Sequence, residues 1–230
     1  MPMATQTDPA AVETRIPLSR DQVLRAAVEL ADEVGLESLS MRRLAQQLRV
    51  EAMSLYHHVR NKQDLLGGML DIVYSEVEAP SAGGEWRSAM RRSAISFHQV
   101  LLRHAWACSL FMSPLDPGPA RLRHMDTVLG RLRSAGFSAD MTHQAYHALD
   151  SHIVGFTLWV LPFLAFAKQQ PDYAERFLRE LPADELPHLI EHVQVHMAPE
   201  RPGEVGAFEF GLDLILDGLE AMRVAPASWS

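Results

Sequence analysis

The chain has 230 residues, 47% of them hydrophobic and 22% charged, with 13 Gly and 14 Pro. That composition excludes a disordered or fibrous chain, and at roughly 100–200 residues per domain the length excludes a mini-protein that needs disulfides or a metal to make a core. One cysteine, Cys108, excludes an intrachain disulfide and makes a reducing cytoplasm the expected compartment, while the net charge of −8 argues against a protein that coats nucleic acid nonspecifically.

Met1–Pro17 carries Pro, Thr, Gln, Asp and Glu with no apolar core of a signal peptide, so residues 1–17 are expected to be a flexible tail. Apolar side chains then recur at three- and four-residue spacing with no period-2 run, which predicts an all-α protein. Ser19 is placed to cap a helix whose inward residues are Val23, Leu24, Ala27, Leu30, Ala31 and Val34, stopped by Gly35. Ser40 caps a short helix with Leu44, Ala45 and Leu48 inward. Arg49-Val50 makes a tight connection, and Glu51–His57 forms another short helix with Ala52, Leu55 and then Val59 inward. Two short helices joined this way make a helix-turn-helix. Asn61 caps a fourth helix, with Asp64 at its third position, running to about Ala79 before Pro80 and Gly83-Gly84.

Beyond that break, Trp86–His104 places Trp86, Met90, Ala94, Phe97 and Leu101 on one face, and Gly118–Ala135 places Leu122, Met125, Leu129 and Leu132 on another. Ser138 caps the longest helical pattern, which Pro162 is expected to kink. The apolar run Ile153–Ala167 has 15 residues, short of the ~20 that cross a bilayer, and reads as a buried helix, so no membrane association is expected. Pro171–Gly206 is Pro- and charge-rich, with room for one or two short helices, and Val205–Met222 closes the chain as an apolar helix. The expected division is 1–17 tail, 18–66 helix-turn-helix domain and 67–225 helical body.

Charge is not spread evenly. Residues 40–62 hold five cations, Arg42, Arg43, Arg49, Arg60 and Lys62, against Glu51 alone, a cationic island in an acidic chain. An α-helix fits the DNA major groove and its first turn can reach base edges while the preceding helix crosses the backbone. The second short helix offers Met53, Ser54, Tyr56, His57 and His58, with no Arg, Lys, Asn or Gln. The hydrogen-bonding reader best suited to guanine is therefore Arg42, with Arg43 beside it. Ala52 and Met53 suit thymine methyl groups, and Tyr56, His57, His58 and Lys62 suit phosphates, Lys62 with the free N–H groups at the start of its own helix. Taken singly, each arginine also fits an ordinary solvated charge and Tyr56 a packing residue; the combination carries the reading.

Residues 18–73 resemble the DNA-binding domain of the TetR family of bacterial repressors. The likeness lies in Ala26-Ala27-Val28-Glu29-Leu30, Val34-Gly35-Leu36, Leu39-Ser40-Met41-Arg42-Arg43-Leu44-Ala45, Val50-Glu51-Ala52-Met53-Ser54-Leu55-Tyr56-His57-His58-Val59 and Asn61-Lys62. The remainder is similar, more weakly, to the tetracycline-repressor type of C-terminal domain, through Trp86 to Leu102, Gly136-Phe137 and Phe208–Glu220. The resemblance implies a homodimer whose long helix from Ser138 and final helix pack against their mates, a palindromic double-stranded DNA operator, and a small-molecule effector. It implies DNA contacts at Arg42, Ala52, Met53, Ser54, Tyr56, His57, His58 and Lys62. Tetracycline repressors hold a drug–magnesium chelate through a histidine after the first helix of the body; the matching Ser109-Leu110-Phe111-Met112-Ser113-Pro114 has none, which argues against that ligand.

A stripe of Trp86, Met90, Phe97, Leu101, Phe111, Met112, Met125, Leu129, His147, Ser151, Phe156 and Trp159 instead suits an apolar or aromatic effector with one or two polar groups, although each residue also fits plain core packing. Two rival readings stay open. His188, His192 and His196 stand at i, i+4, i+8 and His143 and His147 at i, i+4, spacings that suit a metal-sensing regulator, but no Cys or nearby carboxylate completes a tetrahedral set, and no metal or cofactor is expected. For an all-α enzyme there is no nucleophile elbow, P-loop, paired Cys or HExxH, so no catalytic residues are assigned.

Overall fold

A computed structural model describes residues 17–111, 113–170, 172–182, 184–196 and 206–224. They form eleven α-helices, and there is no strand among the described residues. Helices α1 (Arg20–Val34), α2 (Met41–Leu48) and α3 (Ala52–Leu55) make a small head, with a 3₁₀ turn at Leu36–Ser38. Helix α4 (Lys62–Ser75) leads into the body, built from α5 (Trp86–Arg103), α6 (Ala107–Phe111), α7 (Pro119–Ser134), α8 (Ala139–Gln169), α9 (Tyr173–Glu180), α10 (Pro187–His196) and α11 (Ala207–Val224).

The cap residues do what their chemistry dictates. Ser19 and Gln22 make a capping box: the Gln22 N–H donates to Ser19 Oγ (3.2 Å) and the Ser19 N–H to Gln22 Oε1 (2.8 Å). Ser40, Asn61 and Ser138 accept from the third helical N–H of α2, α4 and α8 in the same way. Between α2 and α3 the backbone turns through Arg49 at φ 54, the left-handed region.

Two expected boundaries move inward for one reason. The second short helix is α-helical only over Ala52–Leu55, because the Tyr56 and His57 N–H groups bond three residues back, to Met53 and Ser54 (3.2 and 3.3 Å). Helix α4 likewise ends at Ser75 and not near Ala79. Glu76 and Val77 take i−3 bonds, and the Glu78 N–H leaves the helix for Ser96 Oγ on α5 (2.9 Å). Helix α6 was not expected from the sequence.

Helix α4 packs on α1 with one face and on α5, α6 and α7 with another, so head and body share one continuous core through Leu65, Met69, Leu70, Val73 and Tyr74. Gly68 permits that approach: a Cβ there would lie 2.6 Å from Leu24 Cδ2. The junction also carries a polar knot. His104 Nδ1 faces both Asp32 oxygens of α1 (2.9 and 3.0 Å), its Nε2 faces Glu76 at the end of α4 (3.2 Å), and Trp106 Nε1 donates to Asp32 (2.6 Å). Burial works against the charged Glu76, yet hydrogen bonds from Arg103 and His104 hold its carboxyl below the usual range.

In the body, α5 and α11 are joined by ion pairs, Arg91 to Asp213 and Glu209 (both 2.9 Å) and Arg87 to Asp217 (2.6 Å). Helix α8 corrects the sequence reading of its apolar run. The stretch 139–166 is long and apolar enough to span a bilayer by length and composition, and it is not buried within one chain. Leu158, Trp159, Phe163, Leu164 and Phe166 are exposed, as are Phe210, Leu214 and Met222 on α11. Periodicity marks such residues as apolar without saying whether the cover comes from the same chain.

Candidate DNA-reading face and effector cavity

The head presents one exposed edge. Arg42 and Arg43 stand exposed in the first turn of α2, Met53 is 72% exposed, Tyr56 and His57 are exposed after α3, and Lys62 is exposed as the first residue of α4. Ala52, Ser54 and His58 are half-buried on the same edge. Of the nine proposed DNA-facing residues, Arg42 and Arg43 lie on α2, Ala52, Met53 and Ser54 on α3, Tyr56, His57 and His58 in the turn after it and Lys62 at the start of α4, while the inward positions Leu44, Leu55 and Val59 are fully buried.

Behind this edge lies a brace that the sequence reading missed. Arg20 donates to the His58 carbonyl (2.7 Å) and to the Asp64 carboxylate (2.8 Å), and the Arg60 backbone N–H donates to the same Asp64 (2.8 Å). The Arg20 hydrogen bond is the main cause that draws the Asp64 carboxyl down to about 2. Arg20 and, at 3.6 Å, Arg60 thus pair with Asp64 at the surface, whereas Arg42, Arg43 and Lys62 form no ion pair among the described residues. The guanidinium and ammonium groups left for an anion are those on the exposed edge.

A second candidate site is a narrow cavity in the body. It is lined by Tyr74 of α4; Met90, Ser93, Ala94 and Phe97 of α5; Arg121, His124, Met125 and Val128 of α7; and Tyr146, Leu149, Asp150 and Ile153 of α8. Its polar groups are unusual for a core. Burial pushes the Asp150 carboxyl up, opposed by the charges of Arg121 and His147, and pushes the phenols of Tyr74 and Tyr146 up, that of Tyr146 to about 12. Burial also lowers His124, keeping it neutral, and its buried Nδ1 has no hydrogen-bond partner among the described residues.

Of the twelve expected effector residues, Met90, Phe97 and Met125 line this cavity. Trp86 packs edge-on against Phe137 (4.9 Å) with its indole N–H on Glu220 (2.9 Å), Leu101 is fully buried in the core, and Leu129 is half-buried beside the lining residue Val128. Phe111 stands behind the wall, edge-on to Tyr74 (5.2 Å). Phe156 packs in another cluster, with His98, His152 and Phe208. His147 and Ser151 point outward, and Trp159, 62% exposed, belongs to the outer face of α8. Met112 lies outside the described residues.

The missed lining residues include Tyr146 and Asp150. Each is one position before an expected one, His147 and Ser151, and one residue turns a helix by about 100°. The signal was available: Thr142, Ala145 and Leu149 mark the inward face of α8, with Tyr146 and Asp150 beside them.

For the metal reading, His143 and His147 stack edge-on at 4.5 Å and His188 and His192 lie on α10. Among the described residues no three His, Cys, Asp or Glu side chains gather as a metal-holding group, and the side chain of His196 lies outside them.

Comparison with known proteins bears on both sites. The family model of bacterial regulatory proteins of the tetR family matches residues 23–69, and that of the tetracyclin repressor-like C-terminal domain matches 79–223. The transcriptional repressor DrrR1 of Streptomyces coeruleorubidus is 34% identical over 212 residues, covering 89% of this chain and 78% of its own. The class C tetracycline repressor of Escherichia coli is 32% identical, covering 90% and 93%. ActR of Streptomyces coelicolor, solved in complex with actinorhodin, superposes with a TM-score of 0.73 at 28% identity, covering 91% of this chain and all of that one. These relatives are transcriptional regulators, a non-enzymatic role. With the helix-turn-helix inside the first matched range and the cavity residues of α5, α7 and α8 inside the second, the chain belongs to the TetR family, as a ligand-responsive DNA-binding regulator.

Proposed function

We propose that the chain is a cytoplasmic, homodimeric repressor that reads a palindromic operator with two copies of its head and is released when a small apolar or aromatic molecule enters the body cavity. One observation carries this reading: α4 bears Lys62 on the DNA-reading edge at one end and Tyr74 in the cavity wall at the other. A molecule that reshapes the cavity acts on the same rigid element that aims the head. Asp71, one turn before Tyr74, strengthens the link by accepting the Ala120 and Arg121 N–H groups (2.7 and 3.1 Å) at the start of α7, the helix that carries Arg121, His124 and Met125.

Dimerisation is supported by the apolar side chains that α8 and α11 leave exposed, Trp159 and Phe163 in ring contact at 5.0 Å on α8 and Phe210 and Leu214 on α11. A contiguous apolar surface of this kind marks an interface. Release requires the effector to bind one separation of the two heads more tightly than another, and operator DNA must then weaken effector binding by the same factor. ActR in complex with actinorhodin is a relative holding a small molecule.

The test is selection of bound duplexes from a random pool with the purified full chain. Recovery of an inverted repeat, one half-site per head, is the expected result. Enrichment of a single asymmetric half-site, or none at all, overturns the proposal.

A further inference from the structure

The cavity carries opposite charges that are not joined to each other. The Arg121 guanidinium lies over the rings of Tyr74 and Phe111, 5.7 and 6.0 Å from their centroids, and forms no ion pair among the described residues. Asp150 lines the same space, and none of the hydrogen bonds among the described residues ends on its carboxylate, which meets Arg121 and His147 only as charges through space. Buried polar groups are ordinarily hydrogen-bonded, so a guanidinium that has only the Tyr74 phenol beside it and a carboxylate with no hydrogen bond among the described residues, in one cavity, mark places for a ligand. His124 Nδ1, buried without a partner, is a third such atom on the wall.

We infer that the effector is an uncharged, flat aromatic molecule carrying a hydrogen-bond acceptor that meets Arg121 and a separate donor, a hydroxyl or amide N–H, that meets Asp150; this rests on the cavity being the effector site. The charge sum selects against ions. An anionic ligand gains at Arg121 and is repelled at Asp150, a cation meets the reverse, and either leaves a net charge buried. A neutral molecule with both groups satisfies both side chains through charge-assisted hydrogen bonds. Aromatic walls suit a flat ring. Tyr74, Phe97 and His124 stand 5.3 to 5.9 Å apart as ring faces and edges, while Met90 and Met125 are unbranched and able to re-pack around an inserted ring.

The experiment titrates the full-length dimer with three naphthalenes followed by their own fluorescence: 6-hydroxy-2-acetylnaphthalene, with donor and acceptor; 2-acetylnaphthalene, with no donor; and 6-hydroxy-2-naphthoate, an anion. The hydroxy ketone is expected to bind at least tenfold more tightly than either. Asp150→Asn, which removes the negative charge, should strengthen the naphthoate at least fivefold over the wild-type protein, and Arg121→Gln should weaken it further. A merely structural role for either residue moves all three probes together. Tightest binding of the naphthoate to the wild type, equal binding of all three, or binding of none overturns the inference, and these wild-type outcomes stand even if a variant fails to fold. Retention of the selected duplex by the same preparation is the separate arm. Duplex retained without discrimination among probes sinks the ligand class alone, whereas loss of sequence-specific retention sinks the repressor reading.

Discussion

Arg42 sits in the first turn of α2 with its guanidinium uncommitted among the described residues, while Lys62 is the exposed first residue of α4. The two should fail differently. Arg42→Ala is expected to cost ~1–3 kcal/mol of operator binding and to relax preference at one base pair per half-site, measured by competition among single-position operator variants; a uniform loss on every sequence would assign Arg42 to phosphate. Lys62→Ala should weaken binding evenly and reduce the slope of log affinity against log salt by about one per head, and an unchanged slope would remove it from the interface. Both residues were legible in the sequence because a cationic island in an acidic chain needs no fold to be seen. The Arg20–Asp64 brace behind them was not, since 44 residues separate the partners and each alone resembles a solvated charge.

At the scale of elements, the cap chemistry made α1, α2, α4 and α8 readable to within a residue at their starts, because Ser19, Ser40, Asn61 and Ser138 each satisfy N–H groups that nothing else in the chain can reach. The ends of α1 at Gly35 and of α2 at Arg49 were readable in the same local way, whereas past the end of α4 the chain turns to a distant partner, the Glu78 N–H donating to Ser96. The start of α7 is the opposite case: Gly118 supplies no cap side chain, and Asp71 from α4 does the capping across the fold. Asp71→Ala should therefore cost ~0.5–2 kcal/mol and lower the thermal midpoint by a few degrees, as removal of an N-cap does, although the residue is remote in sequence from the helix it caps. An unchanged midpoint would mean that water takes over the two N–H groups. The same reasoning explains why the cavity was only partly legible. Periodicity tells which face of a helix turns inward, but only the packed helices tell which inward residues leave a space.

For the whole molecule, two properties follow from how the body is closed. Phe208 of α11 is sandwiched between His98 of α5 (4.0 Å) and His152 of α8 (4.9 Å), with His98 Nδ1 on the Thr157 hydroxyl (2.7 Å) and His152 Nε2 donating to the Phe208 carbonyl (2.9 Å). Burial, then the neighbouring His152, lowers His98 below its ordinary 6.5, so folding favours the neutral ring. That contribution is fully present above pH 6.5 and is lost as pH falls below it, because the unfolded chain then binds the proton more readily. The thermal midpoint should drop between pH 7 and pH 5, and His98→Gln should flatten the drop; a slope unaffected by the variant would assign it elsewhere. The second property is the outer strip. Phe210→Glu together with Leu214→Glu should convert a dimer to a monomer in light scattering and weaken operator binding by at least tenfold, and a variant that stays dimeric would move the interface elsewhere.

Cys108, with no exposed surface and its thiol pushed up to about 11 by burial, is shielded from alkylating reagents. The protein therefore comes with a silent background for site-directed labelling. Introducing Met53→Cys would put one spin label or dye on α3 and nowhere else, so that in the proposed dimer a pulsed dipolar or energy-transfer ruler could follow the gap between the two copies of α3 as effector is added.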